Sequence, residues 1–175
     1  MADSVSPDYH YCPRCRLELK LANRGGLPRP SCTSCGFVHF RNPAVGVAVV
    51  VLDKQGRILL GRRSAGGNEG AWCIPCGYVE WGEDIREAAR REFAEETGLE
   101  VRIGEVCAVH SNFHNPAALT VGVWFYGEIV GGEAEASDDL DRVAWFSPDD
   151  PPEPLAFPTD RTVLVELVRN RANVR

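Results

Sequence analysis

Residues 44–52 read AVGVAVVVL, nine positions without a polar side chain and rich in β-branched types. Strict alternation would mark a strand with one wet face. An unbroken run of this length predicts a strand covered on both faces. The next four residues, DKQG, predict a hairpin turn into a strand over 57–63. A Gly-rich segment, SAGGNEG, comes next as a loop, and further β-type runs predict strands over 101–110, 119–130 and 143–146. Between them, GGEAEASDD has no apolar period and reads as an exposed loop. Two stretches carry the helical period. One runs from about Asp84 to Thr97 and is stopped by Gly98; the other runs from about Asp160 to Arg171 and is entered through Pro158-Thr159. The order predicts an α/β domain, a mixed sheet sandwiched by helices.

The first helix has its acids in the wrong place for an ordinary amphipathic helix. Ile85, Ala88, Ala89 and Phe93 form an apolar stripe, while Arg86, Glu87, Arg90 and Ala94 take the outer face. Glu92, Glu95 and Glu96 nevertheless fall on the stripe's C-terminal half, spaced i, i+3 and i+4. Three like charges so placed repel one another, and partial burial sharpens the conflict. A hard divalent cation such as Mg²⁺ or Mn²⁺ takes oxygen ligands and lets all three stay ionised, so the pattern points to a metal site.

From Gly77 the chain reads Gly77, five residues, Glu83, seven residues, then Arg91-Glu92-Phe93-Ala94-Glu95-Glu96-Thr97-Gly98-Leu99. This resembles the Nudix box, G-x5-E-x7-R-E-U-x-E-E-x-G-U, at all nine fixed positions, with Phe93 and Leu99 in the apolar slots. The resemblance implies a Nudix α/β/α sandwich from about residue 44 to the end. It implies hydrolysis of a nucleoside diphosphate linked to another group. It also implies that Glu92, Glu95 and Glu96 bind Mg²⁺ or Mn²⁺, that Glu83 assists them, that Arg91 orients a glutamate, and that Gly77 and Gly98 are the turns bounding the unit.

Ahead of this domain, Cys12-x2-Cys15, sixteen residues, then Cys32-x2-Cys35 has zinc-ribbon spacing. Four thiolates close a tetrahedral site with no open position, so the zinc is expected to be structural and to organise residues 1–43 as a small ribbon ahead of a 44–175 domain. Gly36 permits the turn after the second pair, and His10 and His39 are bystanders to a filled site. The third pair, Cys73 and Cys76, leads into the box rather than starting a helix, where a redox dithiol would have its thiolate stabilised. Both read as packing cysteines, as does Cys107 in an apolar strand.

Charge sharpens the division. Six basic residues stand against three acids before residue 44, a balance of +3 within a net −6, so the remainder carries −9. That makes nucleic acid an unfavourable partner for the body, since such binding relies on cations against phosphates. No apolar run approaches the roughly 20 residues of a membrane span. The opening MADSVSPDYHY lacks a basic start and an apolar core, so the expected location is cytoplasmic. A homodimer is an assembly the sequence allows.

A general base is expected in SDDLDRVAWF: related ADP-ribose hydrolases often carry an acid before a strand with W-F, and here that position is Asp139, with Asp138 and Asp141 as neighbours. His110, His114, Phe113, Trp124 and Tyr126 are further candidates for substrate contact or for core packing. A ribbon ahead of a Nudix domain resembles two enzyme groups. The NADH pyrophosphatases carry SQPWPFP after the box, where this chain has VHSNFHNPAALTV. The order C-x2-C, C-x2-CG, NP, the box and a late PLAF ending at Phe157 instead resembles the plant-type FAD and ADP-ribose pyrophosphatases. The expected partner is therefore a small nucleotide diphosphate. The alternatives are an NADH pyrophosphatase or a non-catalytic nucleotide-sensing regulator; regulators commonly lose box glutamates, and this chain keeps them all.

Overall fold

The computed structural model describes residues 9–173. The opening residues 1–8, with the acids at 3 and 8, and the last two residues lie outside that range. The chain divides into two compact units, Met1–Asn42 and Pro43–Arg175.

In the smaller unit, β1 (Lys20–Arg24) and β2 (Leu27–Ser31) pair antiparallel, with Arg24 opposite Leu27. Gly25 and Gly26 form the intervening turn with φ of 63° and 84°, the geometry of a type I′ hairpin. The hydrophobic pattern does not announce this hairpin, because its residues are mostly exposed. The two cysteine knuckles share one backbone design. Arg16, one residue after Cys15, and Gly36, one residue after Cys35, are both left-handed, at 64° and 73°. In each knuckle the first cysteine's N–H donates to a carbonyl five residues on, Cys12 to Leu17 and Cys32 to Phe37, both at 2.7 Å.

The larger unit is built on β3 (Ala44–Val51), β4 (Ile58–Arg63), β5 (Trp72–Cys73), β6 (Cys76–Tyr78), α1 (Ile85–Thr97), β7 (Leu99–Asn112), β8 (Thr120–Gly132), β9 (Leu140–Phe146) and α2 (Pro158–Asn173). A four-stranded mixed sheet runs β6-β3-β8-β7, and a three-stranded antiparallel sheet runs β5-β4-β9. Strand β3 lies parallel to β8, from Ala44 opposite Thr120 to Val51 opposite Gly127.

The apolar run 44–52 is explained by what covers it. Val47, Val49 and Val51 pack in one cluster with Ala88, Ala89 and Phe93 of α1. Ala48 and Val50 pack in another with Val163, Leu164 and Leu167 of α2. Successive residues of a strand face opposite sides, so a strand between two helices must be apolar throughout. This is the α/β/α sandwich. The predicted turn at 53–56 forms: the Gly56 N–H donates to the Asp53 carbonyl and the Asp53 N–H to the Arg57 carbonyl, both at 2.9 Å, and Leu52 bridges Ile58 antiparallel. The strands it joins nevertheless part into different sheets, so no extended β3–β4 ladder follows. Among the described residues, no helix is long and apolar enough to cross a membrane.

Candidate active site

The caps of α1 set its glutamates. The Asp84 carboxylate accepts the Arg86 N–H at 2.9 Å and starts the helix. Gly98 ends it in the left-handed region at φ 70°, donating its N–H to the Ala94 carbonyl. With the ends so fixed, Ala88, Ala89, Phe93, Glu96 and Thr97 form the buried face. The three helix acids are then unequal. Glu96 is 2% exposed, Glu92 is largely covered and Glu95 is half exposed.

Glu96 accepts the backbone N–H of Cys76 at 2.8 Å. Burial pushes its pKa up to about 8; that N–H and Arg63 oppose the rise, while the nearby Glu92 adds to it. Arg91 gathers the remaining acids. Its guanidinium holds Glu83 in a bidentate pair at 2.8 and 2.9 Å, Glu92 at 2.8 Å and Glu95 at 3.0 Å, and also donates to the Tyr78 carbonyl. The Arg91 pair, reinforced by the Glu80 N–H, draws Glu83 down to about 2. Gly77 lies in β6 and is no turn. Its place is a matter of approach, because a Cβ there would sit 2.0 Å from the Glu92 carboxyl carbon.

Glu92 and Glu96 line a cleft of about 650 Å³, together with Glu80, whereas Glu83 and Glu95 are not part of its lining. Asp138 and Asp139 line it as well, on the loop before β9. Asp139 pairs with Arg63 at 3.0 Å. Asp141 does not reach the cleft; it is held by Arg62 in a bidentate pair at 2.8 and 3.0 Å.

The rest of the cleft differs from the expected aromatic set. Trp124 lines it, but Tyr126 packs in the core and exposed Phe113 is not part of the lining. His114 lines it beside Phe157, with ring centroids 5.7 Å apart, whereas His110 turns away to Glu166 at 3.2 Å. Arg63, Phe157 and Asp160 are site residues that the sequence pattern does not single out for this role. In sequence Asp160 is an ordinary acid in a helix's first turn. In the fold it is buried, accepting the Ile74 N–H at 3.1 Å, with a pKa raised by burial to about 7. The Ile74 N–H and the nearby Trp124 indole N–H both oppose that rise.

In the smaller unit the four cysteine sulfurs lie within 4.8 Å of one another, with Cys12–Cys35 and Cys15–Cys32 each at 3.4 Å. Backbone N–H groups of Cys35 and Ser34 draw the Cys32 thiol down to about 6, whereas the Cys15 thiol, despite the Leu17 N–H, is pushed up to about 12 by its sulfur neighbours, Cys32 foremost, so the metal-free cluster shares protons among its sulfurs. Four sulfurs at this spacing fit a tetrahedral soft-metal site. Among the described residues, no other group of three or more such donors converges so closely. Cys73 and Cys76 are not in this group: Cys73 is fully buried in an apolar cluster and Cys76 lines the cleft. The box glutamates, spread around Arg91, offer the hard oxygen donors that suit Mg²⁺ or Mn²⁺.

A profile of the NUDIX domain matches residues 42–167. The chain belongs to the NUDIX family. An ADP-ribose pyrophosphatase of Methanocaldococcus jannaschii is 32% identical over 125 residues, covering 71% of this chain and 73% of that one. An NAD-capped RNA hydrolase, NudC, of Stutzerimonas stutzeri is 28% identical over 160 residues, or 91% of this chain. The match takes in only 55% of that relative, so this NUDIX chain spans about half its length. The crystal structure of a NUDIX hydrolase from Nitrosomonas europaea superposes with a TM-score of 0.81 at 27% identity, covering 94% of this chain and 93% of that one. NUDIX enzymes use divalent metals.

Proposed function

We propose that this NUDIX hydrolase cleaves the pyrophosphate bond of a nucleoside diphosphate joined to a second moiety, with ADP-ribose or FAD preferred over NADH. The observation that carries the reading is the meeting of two sets of carboxylates across one cleft, Glu92 and Glu96 from α1 and Asp138-Asp139 from the loop before β9. The similarity to the Methanocaldococcus ADP-ribose pyrophosphatase supports the substrate class.

Glu92, Glu95 and Glu96, assisted by Glu83, would hold Mg²⁺ or Mn²⁺, which when bound supplies charge neutralisation of the diphosphate and a more acidic water. Arg91 orients Glu83, Glu92 and Glu95 through its ion pairs with them. Buried Glu96 is kept in place by the Cys76 N–H. Asp139, which Arg63 holds at 3.0 Å on the cleft wall, receives the proton of the attacking water at a carboxylate oxygen. Water adds to one phosphorus, the bridging P–O bond breaks, and the products are a nucleoside monophosphate and the phosphorylated second moiety. In the smaller unit, a zinc on Cys12, Cys15, Cys32 and Cys35 has a structural role.

An NADH-type substrate is the second reading, favoured by the NudC relatives whose similarity extends over nine-tenths of this chain. The test compares kcat/KM for ADP-ribose, FAD, NADH and a nucleoside triphosphate at one Mg²⁺ concentration. ADP-ribose or FAD should lead. A tenfold lead for NADH, about 1.4 kcal/mol in transition-state binding, would favour the second reading. Binding without turnover of any of them would point to a sensor.

A further inference from the structure

A helix leaves its last carbonyls without intrahelical partners, and α1 solves this in an unusual way. Gly98 donates to Ala94, as a C-cap should, but the next three carbonyls are taken by a distant loop. The Glu135 N–H donates to the Thr97 carbonyl at 2.9 Å. The Ser137 N–H donates to the Glu96 carbonyl at 3.1 Å. The Ser137 hydroxyl donates to the Glu95 carbonyl at 2.5 Å. One serine therefore grips the backbone of two box glutamates at once.

The acid turn begins directly after Ser137. Asp138 is left-handed at φ 53°, and the Leu140 N–H returns to the Ser137 carbonyl at 3.0 Å, so the turn is closed on the serine itself. Leu140 is 3% exposed and fills the space opened by Gly61, where a Cβ would meet it at 2.2 Å. On the far side the Ser64 N–H donates to the Asp139 carbonyl at 2.8 Å, and Arg63 holds the Asp139 carboxylate. Ser137 is exposed, so its hydroxyl is not there to fill a core. Water would satisfy the Glu95 carbonyl equally well if capping were its whole purpose.

We propose that Ser137 is a positioning residue that acts through the Asp138-Asp139 turn, fixing it at a set distance from the carboxylate end of α1. This rests on the roles given above to the box glutamates and Asp139. The short polar side chain is the requirement: it must reach back to a carbonyl from the same residue whose N–H is already engaged. Thr meets that requirement, and Ala does not.

The experiment uses the full chain and compares Ser137→Ala, Ser137→Thr, Asp139→Asn and the Ser137→Ala/Asp139→Asn pair, with ADP-ribose as substrate. Amide hydrogen exchange across residues 137–140 is read in parallel without substrate. Ser137→Ala should lower kcat about fivefold, the scale of one hydrogen bond, with KM changed less than about twofold. Ser137→Thr should restore most of the loss, and the alanine should have little further effect once Asp139 is Asn. Exchange at 137–140 should quicken about tenfold while the buried amides of α1 stay protected. Full kcat in Ser137→Ala, an undiminished effect in the Asn background, or unchanged exchange would each overturn the proposal. A natural protein that cleaves no nucleotide would instead refute the hydrolase reading, and full activity in Asp139→Asn would refute the base assignment. In both cases the exchange result still decides the clamp.

Discussion

Asp160→Asn should flatten the dependence of stability on pH. Asp160 is 2% exposed, and burial raises its pKa from an ordinary 3.8 to about 7. The native state thus keeps a proton that the unfolded chain gives up. Below pH 4 both states are protonated and the site has no effect. As pH climbs towards 7 the unfolded state gains stability relative to the native one, and above 7 the loss is complete. The gap between 3.8 and about 7 sets a ceiling of about 4 kcal/mol, of which about 2–3 kcal/mol falls between pH 5 and pH 8. Asn stays neutral throughout and keeps an oxygen for the Ile74 N–H. Its amide group also meets the donor-only Trp124 Nε1, but that offset does not vary with pH and cancels in the comparison. Urea unfolding monitored by tryptophan fluorescence, on zinc-loaded protein without Mg²⁺, measures both proteins at the two pH values. The Asn variant should gain about 2–3 kcal/mol on the natural protein across that range. A difference constant to within about 0.5 kcal/mol would mean that the carboxylate titrates normally, and the burial argument would fail.

Glu95→Gln and Glu96→Gln should each collapse Mg²⁺-dependent turnover by about a hundredfold or more, while metal-free folding holds or improves; full activity in either would remove the metal assignment. Gly77→Ala should cost more activity than stability, since its Cβ displaces the Glu92 carboxylate rather than core atoms; kinetics and thermal melting read side by side would show this, and an active Ala variant would refute the close-approach argument. The isolated protein should carry one zinc per chain by elemental analysis, and Cys32→Ser should lose it, with the smaller unit's amides exchanging freely; retention of zinc by that variant would disprove the four-sulfur site.

Much of this architecture is legible in the sequence because local chemistry and tertiary demand agree. Asp84 and Gly98 bound α1 as cap chemistry requires, and the unbroken apolar run of β3 reports two covering helices. The placement of β4 shows where such reading stops. A turn signal says that the chain reverses, not that the returning strand rejoins the same sheet. The ribbon hairpin escapes it because an exposed two-stranded element has little apolar period to show. In the candidate site, the glutamates stand out because they break the amphipathic rule. Asp160 obeys it: an acid in a helix's first turn is ordinary until the fold buries it. Ser137 is invisible for a different reason, since its partners are backbone carbonyls and carry no side-chain signature.

The turn that closes the glutamate helix also has a silent partner. Gly98 is left-handed, and a Cβ on it would lie 2.5 Å from the Glu133 carbonyl oxygen. Gly132, left-handed at the end of β8, would drive its own Cβ to 2.4 Å from the Gly98 carbonyl oxygen. Asn, the usual substitute where the backbone turns left-handed, is therefore shut out at both places by crowding and not by torsion. The box as written in sequence includes only the first of these glycines. A descendant of this gene could keep every letter of that signature, lose Gly132 to a single base change, and still lose the closing turn; its inheritance is a pair of bare backbones that can only be passed on together.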